Sequence, residues 1–132
     1  WRACRRRGLV ARTDTRAVGN DAETFAFRFL RTRGLQPVTR NFRCRLGEID
    51  LIMRDRDCLV FIEVRFRSAN RFASSILTVD ERKQQKLARA AEIYLTSHPA
   101  LAENKMRFDV VGVDRDANGA TNVEWLRDAF RL

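Results

Sequence analysis

Two apolar segments joined by a charged turn constrain the fold more than any other feature of the chain. Residues 46–53 and 58–67 are rich in Ile, Leu, Val and Phe, which favours β-strands, and the turn at 54–57 alternates Arg and Asp. Each strand also carries a carboxylate among its apolar side chains, Asp50 in the first and Glu63 in the second. Ionised carboxylates are rarely buried alone, so a partner is expected near each of them.

The alternation of side chains along a strand predicts where these carboxylates lie. It places Asp50 and Ile52 on one face of the first strand and Ile49 on the other, and it places Glu63 and Arg65 on one face of the second strand. In a hairpin, Asp50 and Glu63 can therefore share a side of the sheet. Two converging carboxylates followed by a cation suit a divalent metal held against a phosphate. The alternative is two strands whose polar faces are only solvated, and the pattern leaves both open.

The charge of the chain indicates an anionic partner. The 132 residues carry a net charge of +9, and residues 1–16 hold six arginines against Asp14 alone. An excess of this size favours binding to nucleic acid. We expect residues 1–18 to form a flexible basic arm and residues 19–132 a single domain. The alternative for the arm is a solubilising tail or a wrongly assigned start of the chain.

Cysteine and histidine usage excludes several classes of site. Cys4, Cys44 and Cys58 are too few and too scattered for a disulfide framework or a Cys-x-x-Cys zinc site. His98 is the single histidine, which argues against a His-based triad. No apolar run is long enough to span a membrane, and no secretory signal pattern is present, so we expect a cytoplasmic protein that does not bind membranes.

A first helix is predicted to open after Gly19. Asn20 or Asp21 would cap it, and Glu23 stands three residues after Asn20, as in a capping box. Gly34 would end it. On this pattern alone, Glu23 compensates the helix dipole. The helix carries one apolar stripe, formed by Ala22, Phe25, Ala26, Phe29 and Leu30.

A second helix is predicted from a cap at Asp80 to about Ser97. Lys83 lies at the start of its apolar stripe, so its ammonium group can point at the sheet. Lys86 lies off the stripe and is expected to be solvated.

The remaining segments predict three further strands. Residues 35–44 form a basic strand in which Pro37 favours an edge position, and residues 106–114 and 120–126 follow the second helix. The element order α-β-β-β-α-β-β indicates an α/β fold with a mixed sheet flanked by helices. The second helix would connect two parallel strands by a right-handed crossover. Trp125 is expected to cap the core, with base stacking as the alternative.

Together these residues resemble the YraN family, bacterial proteins for which an endonuclease activity has been suggested. The resemblance covers about residues 19–113. The YraN family is similar in turn to the restriction-endonuclease-like superfamily, especially archaeal Holliday-junction resolvases. The resemblance therefore implies an αβββαβ core. The motifs are Gly19-x-x-x-Glu23, Asn41-Phe42-Arg43-Cys44, Gly47-Glu48-Ile49-Asp50-Leu51-Ile52 and Val60-Phe61-Ile62-Glu63-Val64-Arg65-x-Arg67.

The resemblance implies roles for five residues. Asp50 would be the strand aspartate and Glu63 the second carboxylate, and Glu23 from the helix would join them around one or two Mg²⁺ or Mn²⁺ ions. Arg65 stands where the superfamily places a catalytic lysine. Arginine can clamp a phosphate, but it hardly releases a proton. Lys83 would then supply the ammonium group, or catalysis would be lost.

The resemblance therefore implies a metal-dependent endonuclease that hydrolyses structured or branched DNA. Arg40, Arg43, Arg45 and Arg67 would bind the phosphate backbone. Relatives of this kind suggest a homodimer. The alternative is a non-catalytic nucleic-acid-binding module with a degenerate nuclease site, and a third class is an interaction protein whose basic surface binds RNA or an acidic protein.

Overall fold

The fold is given by a computed structural model that describes residues 15–67 and 78–131, with side chains of the first helix from Asp21 onward. The predictions for Cys4 and for most of the basic arm lie outside the described residues.

In the described part of the chain, two helices pack on the two faces of one five-stranded sheet. The strand order is β1-β2-β3-β4-β5; β3 and β4 run parallel, and the other neighbouring pairs run antiparallel. This arrangement confirms the predicted mixed α/β fold with its αβββαβ order and helix crossover. The elements are α1 (Thr15–Thr32), β1 (Gln36–Cys44), β2 (Gly47–Asp55), β3 (Cys58–Arg67), α2 (Glu81–Ser97), a 3₁₀ helix (Pro99–Leu101), β4 (Lys105–Arg115) and β5 (Thr121–Phe130).

The start of α2 follows the predicted cap, whereas the start of α1 does not. Asp80 accepts a hydrogen bond from the backbone N–H of Lys83 at 2.8 Å. The helix α1 begins at Thr15, so Asn20 and Asp21 lie inside it and the predicted cap is wrong. Glycine and asparagine cost about 1 kcal/mol or less in a helix interior, which packing against the sheet overrides.

The core has two layers because both faces of the central strands are covered. The strand β3 therefore shows a continuous buried run from Leu59 to Ile62. The layer under α2 contains Ile49, Ile52, Leu59, Phe61, Leu87, Tyr94 and Val110, among others. The layer under α1 contains Ala22, Ala26, Leu30, Leu51, Met53, Val60, Ile62 and Val111, among others.

The strand with Pro37 lies at an edge of the sheet, as predicted, and β5 is longer than expected. Pro37 lies in β1 at one edge, where a missing N–H donor is tolerated. At the other edge β5 continues past Leu126 to Phe130. The pairing register shifts near Asp128, whose φ is 52°, and the strand resumes beyond that irregularity.

Buried Asp109 anchors this irregular end of β5. It is 1% exposed and accepts hydrogen bonds from Arg107 Nε at 2.9 Å, Trp125 Nε1 at 2.9 Å and the Asp128 backbone N–H at 2.9 Å. Arg107 also pairs with Asp55 at 2.9 Å. A buried carboxylate with this many donors is satisfied, so we assign it a structural role.

No helix in the described part of the chain is long and apolar enough to cross a membrane.

Candidate active site

The structure brings Asp50 and Glu63 together where the strands β2 and β3 part. The paired register between these strands ends at Leu51 and Ile62. Asp50, one residue beyond, turns its carboxylate to the backbone of β3, where Oδ2 accepts the Val64 N–H at 2.8 Å. The side chains of Asp50 and Glu63 lie close enough that each shifts the pKa of the other. The fork thus holds two carboxyl groups side by side.

An irregularity in β1 accompanies this fork. Asn41 has a φ of 54° and lies between Arg40 and Phe42, which pair with Leu51 and Ile49 on β2. Strict alternation along β2 fails at the same level, because Ile49 belongs to the layer under α2, as Ile52 does. The predicted separation of Ile49 and Ile52 onto opposite faces is therefore wrong. Asparagine tolerates the left-handed conformation better than most residues.

Lys83 from α2 completes the carboxylate pair on one side. Its Nζ lies 3.3 Å from Glu63 Oε2, and the two side chains are 32% and 12% exposed. That oxygen is buried and has no hydrogen bond from any described residue. Lys83 therefore points at the sheet, as its position on the helix predicted, and leaves Glu63 Oε2 with a charge partner but with unused acceptor capacity.

Burial raises the pKa of both carboxyl groups. The pKa of Asp50 rises to about 6, chiefly because burial disfavours its charge, while the N–H of Val64 lowers it and the charge of Glu23 raises it. The pKa of Glu63 rises to about 7 through burial and repulsion from Asp50, and Lys83 lowers it. Both pKa values therefore lie close to neutral pH, and the site has too little positive charge to keep both carboxylates ionised at lower pH.

Glu23 reaches the same place from α1. It lies close enough to Asp50 for its charge to raise the pKa of that carboxyl group. The capping role that the sequence pattern gave Glu23 is wrong, because α1 begins eight residues earlier and has no acidic residue in its first turn.

The donor chemistry of the site fits a hard divalent cation. In residues 15–67 and 78–131 no group of three His, Cys, Asp or Glu side chains is already arranged to hold an ion. Mg²⁺, however, is commonly bound by one or two carboxylates, with water and substrate oxygens filling the other positions. Asp50 and Glu63 provide such a pair, and a cation would relieve the repulsion that raises their pKa values.

The two arginines of β3 are placed differently. Arg65 lies two residues after Glu63, opposite Gly112 on β4, and makes no ion pair with a described carboxylate. Arg67 pairs with Asp114 at 3.2 Å. Arg65 is therefore the freer of the two to meet a phosphate.

A family comparison covers the elements that carry this site. The model of the uncharacterised protein family UPF0102 matches residues 22–113. The chain belongs to the UPF0102 family. This result confirms the family resemblance seen in the motifs.

The curated relatives cover nearly the whole chain and carry the same family name. The UPF0102 protein of Nitrosococcus oceani is 49% identical over 117 residues, which are 89% of this chain and 94% of that protein. The UPF0102 protein of Halorhodospira halophila is 48% identical over 122 residues, 92% of this chain and 93% of that protein. The UPF0102 protein of Pseudomonas syringae pv. syringae is 38% identical over 121 residues, which are 92% of this chain and 98% of that protein.

This UPF0102 chain has a cationic cleft beside Glu63. The cleft has a volume of about 430 Å³ and lies between α2 and the turn from β1 to β2. Lys83 lines it and also pairs with Glu63, so the cleft and the carboxylates share one side chain. Arg43 there pairs with Glu48 at 3.5 Å, with both side chains largely exposed. The lining residues are Arg43, Cys44, Arg45, Leu46, Gly47, Glu48, Lys83 and Lys86.

Lys86 is the cleft residue that the sequence analysis missed. It is exposed, as expected, but the turn of β1 and β2 approaches α2 there so closely that a Cβ on Gly47 would lie 3.0 Å from the Lys86 carbonyl oxygen. Gly47 in the turn was the available sequence signal for a close approach, but the sequence did not indicate that the turn approaches α2 at Lys86.

A second groove contains none of the predicted site residues. It has a volume of about 420 Å³ and is mainly apolar, lined by parts of α2, β4 and β5, including Leu95, Phe108 and Phe130. Without polar groups that converge, a groove of this kind has no evident chemistry.

Proposed function

We propose that this UPF0102 protein is a metal-dependent endonuclease that hydrolyses phosphodiester bonds in structured or branched DNA. The observation that carries the proposal is that Asp50, Glu63 and Lys83 converge at the fork of two strands. A protein that only binds phosphate gains nothing from two half-buried carboxylates beside its cations, because like charges repel the ligand.

Asp50 and Glu63 would hold Mg²⁺ or Mn²⁺, with Glu23 acting beside Asp50. When bound, such an ion lowers the pKa of water and stabilises negative charge on phosphate oxygens. Asp50 is fixed by the Val64 N–H, so its carboxylate is oriented before any ligand arrives. Above a pH of about 7 both carboxyl groups are ionised and ready to hold the cation.

Lys83 would supply the ammonium group of the catalytic lysine, a role that the guanidinium of Arg65 does not fill. Its Nζ already lies beside Glu63 Oε2, so it would stabilise charge that develops on the phosphate next to the carboxylates. Arg65 would bind the same phosphate through its planar fork. Arg43, Arg45 and Lys86 line the adjoining cleft and would hold the backbone of the substrate without reading its sequence.

The test is cleavage of labelled duplex, flap and four-way-junction DNA in Mg²⁺ or Mn²⁺. Asp50→Asn and Glu63→Gln should each lower the rate by about 100-fold or more, and Lys83→Gln by about 10-fold or more. The matched controls Asp57→Asn and Lys105→Gln, an ion pair whose side chains are 75% and 80% exposed, should cut like wild type. Binding without cutting in either metal would instead identify a non-catalytic nucleic-acid-binding module.

A further inference from the structure

A second cationic surface lies on the other face of the sheet, where arginines stack on aromatic rings. The guanidinium carbon of Arg127 lies 4.1 Å from the centroid of Trp125. That of Arg33 lies 4.9 Å from the centroid of Phe29. We call this surface the arginine–aromatic strip, and it comprises Phe27, Phe29, Arg31, Arg33, Arg40, Trp125 and Arg127.

The strip crosses the whole sheet. At one end Arg40 on β1 stacks 4.6 Å from the centroid of Phe27 on α1. On the other side of the helix Phe29 meets Trp125 on β5 edge to face, with centroids 6.3 Å apart. Because β1 and β5 are the two edges of the sheet, the strip spans about 19 Å at the usual strand spacing. That length corresponds to roughly five stacked nucleotides.

The cations of the strip are not neutralised by the protein. Arg31, Arg33, Arg40 and Arg127 are all exposed, and none of them pairs with a carboxylate of residues 15–67 or 78–131. Elsewhere in the same part of the chain, arginines such as Arg107 are held in ion pairs. A guanidinium that lies on a ring keeps its outer face and its N–H donors for a ligand.

We infer that the strip binds single-stranded nucleic acid. Bases stack on aromatic side chains and on guanidinium planes, and phosphates accept hydrogen bonds from arginine. A ligand with charge but no rings would accept hydrogen bonds from the arginines and would not stack on the aromatic side chains. Arg40 also donates a hydrogen bond from Nη2 to Thr24 Oγ1 at 3.2 Å, next to Glu23, so one end of the strip adjoins the candidate active site.

A nucleic-acid strand bound to the arginine–aromatic strip would lie beside the substrate that the carboxylates act on. This part of the inference rests on the proposed function. Binding by the strip itself does not, because it needs neither Asp50 nor Glu63.

Fluorescence of Trp125 tests the inference in metal-free buffer. In a Trp1→Phe background, Trp125 is the single tryptophan. We expect a dT oligonucleotide of about 12 nucleotides to quench it. The triple variant Arg33→Gln, Arg40→Gln, Arg127→Gln should weaken binding about tenfold or more and reduce the salt-dependence slope by about 2, since each lost phosphate contact contributes about 0.7.

The control carries the same loss of charge away from the strip. Arg56→Gln, Arg82→Gln and Arg89→Gln change three exposed arginines and should weaken binding less than about threefold. Thermal melting of both triple variants establishes that they are folded. The inference is overturned if the two variants bind equally well, or if inorganic polyphosphate quenches Trp125 as strongly as the oligonucleotide.

The same proteins separate this inference from the proposed function. Quenching that depends on the strip, without cleavage of any substrate in Mg²⁺ or Mn²⁺, supports the strip and rejects the nuclease. Cleavage by wild type, with equal oligonucleotide binding by both triple variants, supports the nuclease and rejects the strip.

Discussion

Replacing Glu63 with glutamine should make the metal-free protein more stable at alkaline pH. Glu63 is 12% exposed, and its pKa in the folded protein is about 7 against an ordinary value of 4.5. Below pH 4.5 the group is protonated in the folded and unfolded chains alike. As the pH rises from 4.5 to 7, the unfolded chain releases the proton while the folded chain retains it, so folding becomes less favourable.

The size of the effect follows from these two pKa values. A pKa of about 7 instead of 4.5 corresponds to about 3 kcal/mol of stability that is present at low pH and lost by pH 8. Glutamine has nearly the same shape and no charge, so Glu63→Gln avoids this loss. The favourable charge of Lys83 is already included in this figure, because it lowers the pKa of Glu63 in the folded protein. Relative to wild type, the variant should gain about 3 kcal/mol in free energy of unfolding between pH 4.5 and pH 8.

Urea denaturation with a chelator present, at several values between pH 4.5 and pH 8, measures this difference. Glu48→Gln serves as the matched control, since Glu48 is an exposed glutamate of the neighbouring strand with a side chain 56% exposed. It should change the free energy of unfolding by less than about 0.5 kcal/mol at every pH. A Glu63→Gln variant whose difference from wild type stays constant with pH would refute the reasoning.

Two structural predictions concern the frame around the site. Gly47→Ala should cost about 1–3 kcal/mol in urea denaturation, because the new Cβ would lie 3.0 Å from the backbone carbonyl oxygen of Lys86, which cannot swing aside as a side chain can; an unchanged unfolding midpoint would contradict the close approach. Asp109→Asn should cost about 3 kcal/mol in thermal or urea unfolding, because it leaves the guanidinium of Arg107 without its buried charge partner. A loss below about 1 kcal/mol would mean that Asp55 alone satisfies Arg107.

Local patterns predicted much of the fold. The strand Cys58–Arg67, the cap at Asp80 and the parallel pairing of β3 with β4 are all as expected from the sequence. Each depends on interactions among near neighbours in sequence or on the helical connection between two strands. The start of α1 was missed because a sequence with good capping residues can still continue as a helix when tertiary contacts stabilise it.

The carboxylates of the candidate site were predicted in identity, whereas their environment was not. Asp50 and Glu63 stand out because charge is unexpected in apolar strands. The raised pKa values depend on how much protein surrounds each group and, for Asp50, also on Glu23 from α1, neither of which strand periodicity describes. The assignment of Ile49 failed because β2 itself departs from strict alternation between Ile49 and Ile52, at the level of the left-handed Asn41 on the neighbouring strand.

The sequence by itself determined the order of the elements, the family and the two strand carboxylates, because periodicity, capping chemistry and motif spacing are local properties of the chain. Only the tertiary structure decided that Lys83 meets Glu63, that Gly47 closes a cationic cleft against α2, and that the rings of α1 meet Arg40 of β1 and Trp125 of β5. These contacts join residues far apart in sequence, and their distances are set by how helices and strands pack rather than by any local preference.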